Sequence, residues 1–211
     1  MFLDVLRSTY FSYDHSIISC GIIFWGNSYH SEEIFKTQKR IIRIIMNSSK
    51  NASCQQLFKY LNILPIQSQY IFSILLFVTK NKDQFLSNSQ VHKINTMQTS
   101  DRYIPTANLT VYQKGVYYSE IKMYNNIPTA IKDLSGDKNK FKPALKRYLL
   151  HSSFYSLEEY FNTQLTMILI LSVLLLMLIL FIVHIIVNVA ILWHYNKAQL
   201  MLYVHLLYLL C

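Results

Sequence analysis

Apolar residues recur at helical spacing through most of the first 160 positions, and this pattern predicts an all-α domain. Residues 3 to 24 are expected to form one helix. A second helix is expected from Ser31 to Met46, with Ser31 as its N-cap. On that helix, spacings of seven and four residues place three isoleucines on one face: Ile34, Ile41 and Ile45.

The next segments continue the helical pattern, with one long interruption. Ser53 is expected to cap a short helix, and Pro65 suits the first turn of a buried helix over residues 68–78. Residues 81–103 are rich in Asn, Ser, Gln and Thr and lack periodicity, so they predict a long loop. Asp137 is placed to cap a last amphipathic helix, which carries Phe141, Leu145 and Leu149 on one face.

The C-terminal part has a different pattern, because residues 165–187 are almost wholly apolar. About 20 such residues in a helix can cross the roughly 30 Å of bilayer hydrocarbon. We therefore predict a small irregular helical domain over residues 1–160, one long hydrophobic transmembrane helix within 161–196, and a short apolar tail over 197–211. The alternative for the apolar run is a buried core helix.

The charges follow the same division of the chain. There are 20 Lys and Arg against 11 Asp and Glu, and the only one of them after Phe161 is Lys197. A net charge of +9 favours anionic partners, either nucleic acid or an anionic membrane surface. If the span is real, the positive-inside bias predicts a single-pass membrane protein whose N-terminal region is cytoplasmic. Without the span we expect an intracellular protein, since three widely spaced cysteines argue against a disulfide framework.

Basic side chains recur every three or four residues on the second predicted helix and form a stripe. A row of cations at this spacing can follow a phosphate backbone, whose affinity comes mainly from counterion release. The alternative is the solvated face of an ordinary surface helix. The last predicted helix is also crowded with cations. The candidates for contact with an RNA or DNA backbone are Lys36, Lys39, Arg40, Arg43, Lys140, Lys146 and Arg147.

A series of short motifs gives the first 160 residues a family resemblance. They are Cys-Gly-Ile-Ile-Phe-Trp-Gly at 20–26, Gln-Lys-Arg at 38–40, Tyr-Gln-Lys-Gly at 112–115, Tyr-Asn…Pro…Ile-Lys at 124–132 and Phe-Lys…Leu-Lys-Arg-Tyr-Leu at 141–149. In this order they resemble the region after the polymerase core in non-LTR (LINE-type, Jockey-like) retrotransposon reverse transcriptases. The resemblance covers about residues 3–161, and the apolar tail has no counterpart in it. Because the family's region is thought to help hold template RNA and DNA, the resemblance implies a role in nucleic-acid binding.

Within the first motif, Trp25 and Gly26 are expected to be structural anchors. We interpret the tryptophan as a buried anchor and the glycine as a helix stop, rather than as a platform on which a base stacks.

The residues of polymerase chemistry are missing from the sequence. That chemistry needs paired carboxylates that hold two divalent cations, and this chain has no Asp-Asp pair. The adjacent acids Glu32-Glu33 and Glu158-Glu159 suit the first turns of helices. Phosphate-loop, nucleophile-elbow and zinc-protease motifs are also absent. We therefore predict no catalytic residue, no metal site, no cofactor and no small-molecule substrate.

Two hypotheses follow from the sequence. The first is a truncated, non-catalytic piece that resembles the C-terminal region of an RNA-directed DNA polymerase and keeps some affinity for nucleic acid. The second is a single-pass, C-terminally anchored membrane protein, inserted through residues 165–187, whose basic cytoplasmic domain has no nucleic-acid role.

Overall fold

The computed structural model describes residues 2–92, 101–105, 116–163, 166 and 169–185. These residues are helical apart from turns and one isolated antiparallel bridge between Ser87 and Arg102, so the all-α prediction is confirmed for them. The chain divides into two compact units, Met1–Phe161 and Asn162–Cys211, called unit 1 and unit 2.

The helices of unit 1 are named in chain order. They are α1 (Phe2–Ser12), α2 (Asp14–Ser19), α3 (Ile22–Trp25), α4 (Ser31–Ile45), α5 (Cys54–Leu61), α6 (Ile66–Lys80), α7 (Asn88–His92), α8 (Val116–Asn125), α9 (Thr129–Lys132) and α10 (Lys138–Ser152). Short 3-10 turns lie at Lys82–Gln84 and Asp133–Gly136. Helical residues also occupy 157–163, named α11.

Helix α6 is the centre of the core, and it packs against α3, α4, α8 and α10. It begins directly after Pro65, whose fixed φ of −54° suits a helix start. Ile66, Ile71, Ile74 and Leu75 are completely buried. The predicted buried helix in this region is therefore confirmed, and the surrounding helices are positioned by it.

The last predicted amphipathic helix is also confirmed, as α10. The Asp137 carboxylate accepts a hydrogen bond from the Asn139 N–H at 2.9 Å, which satisfies one of the free donors of the first turn. Phe141, Leu145 and Leu149 are completely buried, as their spacing of four residues predicts.

The prediction of one helix over residues 3–24 is wrong, because the segment is divided among α1, α2 and α3. The break before α3 lies at Cys20, which is extended, and at Gly21, which has a φ of 64° in the left-handed region. Glycine adopts this conformation without steric cost, and it ends the preceding helix.

Helix α4 buries a face that coincides only in part with its isoleucine face. Its buried side chains include Phe35, Gln38, Ile42 and Ile45, whereas Ile34 and Ile41 are only half-buried. His30 precedes the helix as its N-cap residue, so the predicted cap at Ser31 is one position late. The inward face therefore includes the polar Gln38, and Ile45 is the isoleucine that it shares with the predicted face.

The segment 81–103 contains more structure than the predicted loop. Its described part holds a 3-10 turn and α7, and it returns to the core at Arg102, which is buried. The Asn125 side chain accepts from the Arg102 N–H at 2.7 Å and donates to the Arg102 carbonyl at 2.9 Å, as a neighbouring strand would. The Lys132 ammonium donates to Asp101 at 2.7 Å and to the Asn125 carbonyl at 2.6 Å. Asn125 and Lys132, which both belong to the motif at 124–132, therefore hold the end of this segment against the core.

In unit 2 the described helix α12 (Leu169–Ile185) is 17 residues of almost entirely apolar sequence. Its large apolar side chains are exposed, from Leu169 at 63% to Ile185 at 46%. Among the described residues, no single helix combines the length and hydropathy needed to cross a membrane. The pair α5 and α6 meets that criterion together but is bent by 46°. Both ends of the predicted span over 165–187 lie outside the described residues. Residues 186–196 of the predicted transmembrane segment and the whole predicted tail over 197–211 also lie outside them.

Close packing around Gly26 gives a stability prediction. A Cβ added there would lie 2.3 Å from the Tyr70 ring, whereas one added at Gly136 would meet nothing within 4 Å. We expect Gly26→Ala to lower the free energy of unfolding by about 1–3 kcal/mol through overpacking. Gly136→Ala, the matched control, should change it by less than about 0.5 kcal/mol. Urea denaturation of the full chain in a non-ionic detergent measures both, and equal effects would contradict the packing argument.

Candidate nucleic-acid interface

The four cations predicted on α4 line one open groove of about 820 Å³. Lys36, Lys39, Arg40 and Arg43 are joined there by Lys50, from the turn that follows the helix. Asn47, at a φ of 46°, ends the helix in the left-handed conformation and allows the chain to turn. Among the residues that the structure describes, no acidic side chain lines this cavity, which is called the basic groove.

The cations of the basic groove differ in how firmly they are held. The Lys39 ammonium lies 4.4 Å from the centre of the Phe35 ring and 5.9 Å from that of Tyr155, within reach of a cation–π attraction. The Arg43 Nε donates to the Ala52 carbonyl at 3.1 Å. Lys36 and Arg40 are exposed and have no ion pair or hydrogen bond within the described parts of the chain. Lys50 is exposed in the same way and has no such partner among the described residues, so these three are the cations most available to a ligand.

Helix α4 is fixed behind the groove by Gln38, one of its buried residues. The Gln38 amide donates to the Tyr10 hydroxyl at 2.9 Å and to the Leu64 carbonyl at 3.0 Å, and its oxygen accepts from the Ile66 N–H at 3.0 Å. Burial raises the pKa of Tyr10 to about 12, so its hydroxyl stays neutral at physiological pH. These bonds tie α4 to α1 and to the start of α6.

A second basic groove, of about 510 Å³, contains Lys146 and Arg147. They are joined there by Arg7 from α1 and Lys59 from α5, which the sequence did not mark as site residues. Arg7 is held by a hydrogen bond from its Nε to the Leu61 carbonyl at 2.8 Å. Because positions 7, 59 and 146 are far apart in the chain, no local sequence signal reveals this cluster.

The remaining predicted cation, Lys140, lines neither groove. It is exposed near the start of α10 and pairs with Asp137 at 3.7 Å. The seven predicted basic residues are therefore divided into a group of four, a pair and one separate lysine.

A third cavity, of about 570 Å³, shares Lys36 and Lys39 with the basic groove. Three rings line it, those of Tyr29, Phe35 and Tyr155, and it is called the aromatic pocket. Phe35 and Tyr155 pack edge to face, with ring centres 4.9 Å apart. Burial raises the pKa of Tyr155 to about 12, so this hydroxyl is also neutral.

The cap of α11 positions Tyr155 in the pocket wall. The Glu159 N–H donates to the Ser156 hydroxyl at 3.1 Å, and the Glu159 carboxylate accepts from the Tyr155 N–H at 2.8 Å. These two bonds satisfy backbone donors at the helix start and hold the Tyr155 backbone in place.

Trp25 and Gly26 lie outside the two grooves and the pocket, and their contacts are with other parts of the fold. The Trp25 indole N–H donates to the Cys20 carbonyl at 2.9 Å, which closes the turn, and the half-buried ring packs against the core. Gly26 is buried against Tyr70, with no room for a side chain.

The arrangement as a whole is suited to binding anions through positive charge. In the described residues no group of three or more His, Cys, Asp or Glu side chains is placed to hold a metal ion. No family model, curated protein or solved structure matches the chain. The resemblance to retrotransposon reverse transcriptases therefore stays a prediction.

Proposed function

We propose that unit 1 binds the phosphate backbone of RNA or DNA through the basic groove, without catalysis. The observation that carries this proposal is the composition of the groove, whose described lining has five cations and no acid. Phosphates that neutralise such a row release condensed counterions, which is the main source of sequence-independent affinity.

The resemblance to the C-terminal region of a retrotransposon polymerase supports the same proposal. That region of the family is thought to help hold template RNA and DNA, and two cations of the stripe on α4, Lys39 and Arg40, belong to the Gln-Lys-Arg motif at 38–40. The chain on this account is a non-catalytic piece with residual nucleic-acid affinity.

A charge reversal tests the proposal with little risk to the fold. In the variant Lys36→Glu/Arg40→Glu, both side chains replaced are exposed and lack intramolecular partners among the described residues. We expect affinity for a labelled 20-nucleotide RNA to fall roughly tenfold to a hundredfold near 0.1 M salt, because two phosphate contacts become repulsive. Fluorescence anisotropy with the full chain in non-ionic detergent measures the change.

The control variant makes the same charge change elsewhere. Lys138 and Lys142 are exposed on α10 and line neither basic groove. Lys138→Glu/Lys142→Glu should reduce affinity by less than about threefold, which is the long-range effect of net charge. Equal losses in the two variants would reject the basic groove as the binding surface.

A second candidate function is a single-pass membrane anchor formed by residues 165–187. It is favoured by α12, whose apolar side chains are exposed along 17 residues. Apolar surface of this extent is typical of membrane or protein contact. Resistance to alkaline carbonate extraction is expected on this proposal, and Leu176→Arg/Leu180→Arg should weaken it, since a cation near the bilayer centre costs several kcal/mol. Complete release of the unmodified chain would reject the anchor.

A further inference from the structure

The aromatic pocket and the basic groove meet at a shared wall but differ in charge. Lys36 and Lys39 belong to both cavities, while Glu32 and Glu158 line only the aromatic pocket. Among the described residues, two lysines and two glutamates leave the pocket formally neutral beside a groove that holds five cations. A phosphate is favoured in the groove, and an uncharged group attached to that phosphate is favoured in the pocket.

The rings in the pocket can hold a flat group. Phe35 is buried and packs against Tyr155, so those two rings form a fixed wall. Tyr29 lies at the opening and is 86% exposed, which leaves a ring face for a partner. Every nucleobase has a face that stacks on such an aromatic ring, whatever its sequence.

We propose that the aromatic pocket receives one unpaired nucleobase of a single strand whose phosphates lie in the basic groove. This inference rests on the proposed function and names its substrate class as single-stranded nucleic acid. A base inside a duplex already uses its stacking faces and its pairing edge, so it has to leave the helix before it enters such a pocket. The volume of about 570 Å³ is ample for one base and its sugar.

The test compares a 12-nucleotide RNA strand with the corresponding duplex, both bound to the full chain in non-ionic detergent. The single strand should bind more tightly. Tyr29→Ala should weaken single-strand binding roughly fivefold to a hundredfold, the loss typical of one stacking contact, and leave duplex binding unchanged. Tyr29→Phe keeps the stacking face and should restore the affinity. Tyr60→Ala, a matched control at an exposed tyrosine of α5 outside the two grooves and the pocket, should have no effect.

The outcomes separate this inference from the proposed function. If the strand binds but Tyr29→Ala binds it equally well, or if duplex and strand bind alike, the base pocket is rejected while backbone binding stands. If neither RNA binds even at low salt, the proposed function fails, and the base pocket fails with it.

Discussion

Replacing Lys132 by methionine should lower the free energy of unfolding of unit 1 by about 3–5 kcal/mol, the largest effect that we expect from one substitution. Lys132 is only 5% exposed, and its ammonium contacts the Asp101 carboxylate at 2.7 Å and the Asn125 carbonyl at 2.6 Å. Methionine preserves the packing of the stem but leaves the carboxylate, itself 16% exposed, without its counter-charge. Urea denaturation followed by circular dichroism measures the loss.

Two variants check the explanation for Lys132. Lys140→Met also breaks a lysine–aspartate pair, but that pair is exposed, so the change should be within about 0.5 kcal/mol. The double variant Lys132→Met/Asp101→Leu removes both charges and should recover much of the loss. A small effect of Lys132→Met, equal to that of Lys140→Met, would show that the contacts of Lys132 with Asp101 and Asn125 add little stability.

Gln38→Leu is expected to lower the free energy of unfolding by about 2–4 kcal/mol. The substitution keeps the volume roughly constant but removes every partner that Gln38 supplies to the Tyr10 hydroxyl, the Leu64 carbonyl and the Ile66 N–H. Each buried polar group left without a hydrogen bond costs about 1–3 kcal/mol, and relaxation of the structure offsets part of the sum. The same denaturation experiment measures this loss.

The control for Gln38 is Gln56→Leu, on the exposed side of α5, which should change the free energy of unfolding by less than about 0.5 kcal/mol. Tyr10→Phe removes one member of the network only and should cost about 1 kcal/mol. If Gln38→Leu were as stable as the unmodified chain, the network would not be what holds α4 against α1 and α6.

The spacing of apolar residues was sufficient to predict a helix and its inward side wherever the buried face is purely apolar. The spacing of Phe141, Leu145 and Leu149 predicted the inward side of α10, and the aspartate before it predicted the cap. The uniform apolar character around Ile71 and Leu75 predicted the central helix in the same way. Such signals lie within one or two turns of the chain, where sequence alone is informative.

The misassigned parts depend on contacts between distant residues. Gln38 resembles a surface position in the sequence, because its partners lie 26 to 28 residues away. The end of the segment 81–103 resembles a loop for the same reason, since Asn125 pairs with Arg102 from a separation of 23 residues. The break before α3 depends on one backbone conformation at Gly21, which an apolar pattern does not encode.

The candidate site could likewise be predicted only where its residues are close together in the sequence. The cations of α4 are neighbours because they are on one helix, so their sequence spacing was enough to group them. The place of Lys50 in the basic groove depends on the turn at Asn47, and the second basic groove forms only where three helices meet. Neither was therefore predictable from the sequence. The aromatic pocket joins residues from positions 27 to 158, so it becomes visible only once the chain is folded.

The salt dependence of RNA binding tests the central proposal most directly. A single strand that contacts four or five cations in the basic groove should bind with a slope of log affinity against log salt of about −3. In Lys36→Glu/Arg40→Glu the slope should flatten by about 1 to 2, while in Lys138→Glu/Lys142→Glu it should stay as it is. A slope near zero for the unmodified chain, or an equal slope in both variants, would contradict backbone binding by the basic groove.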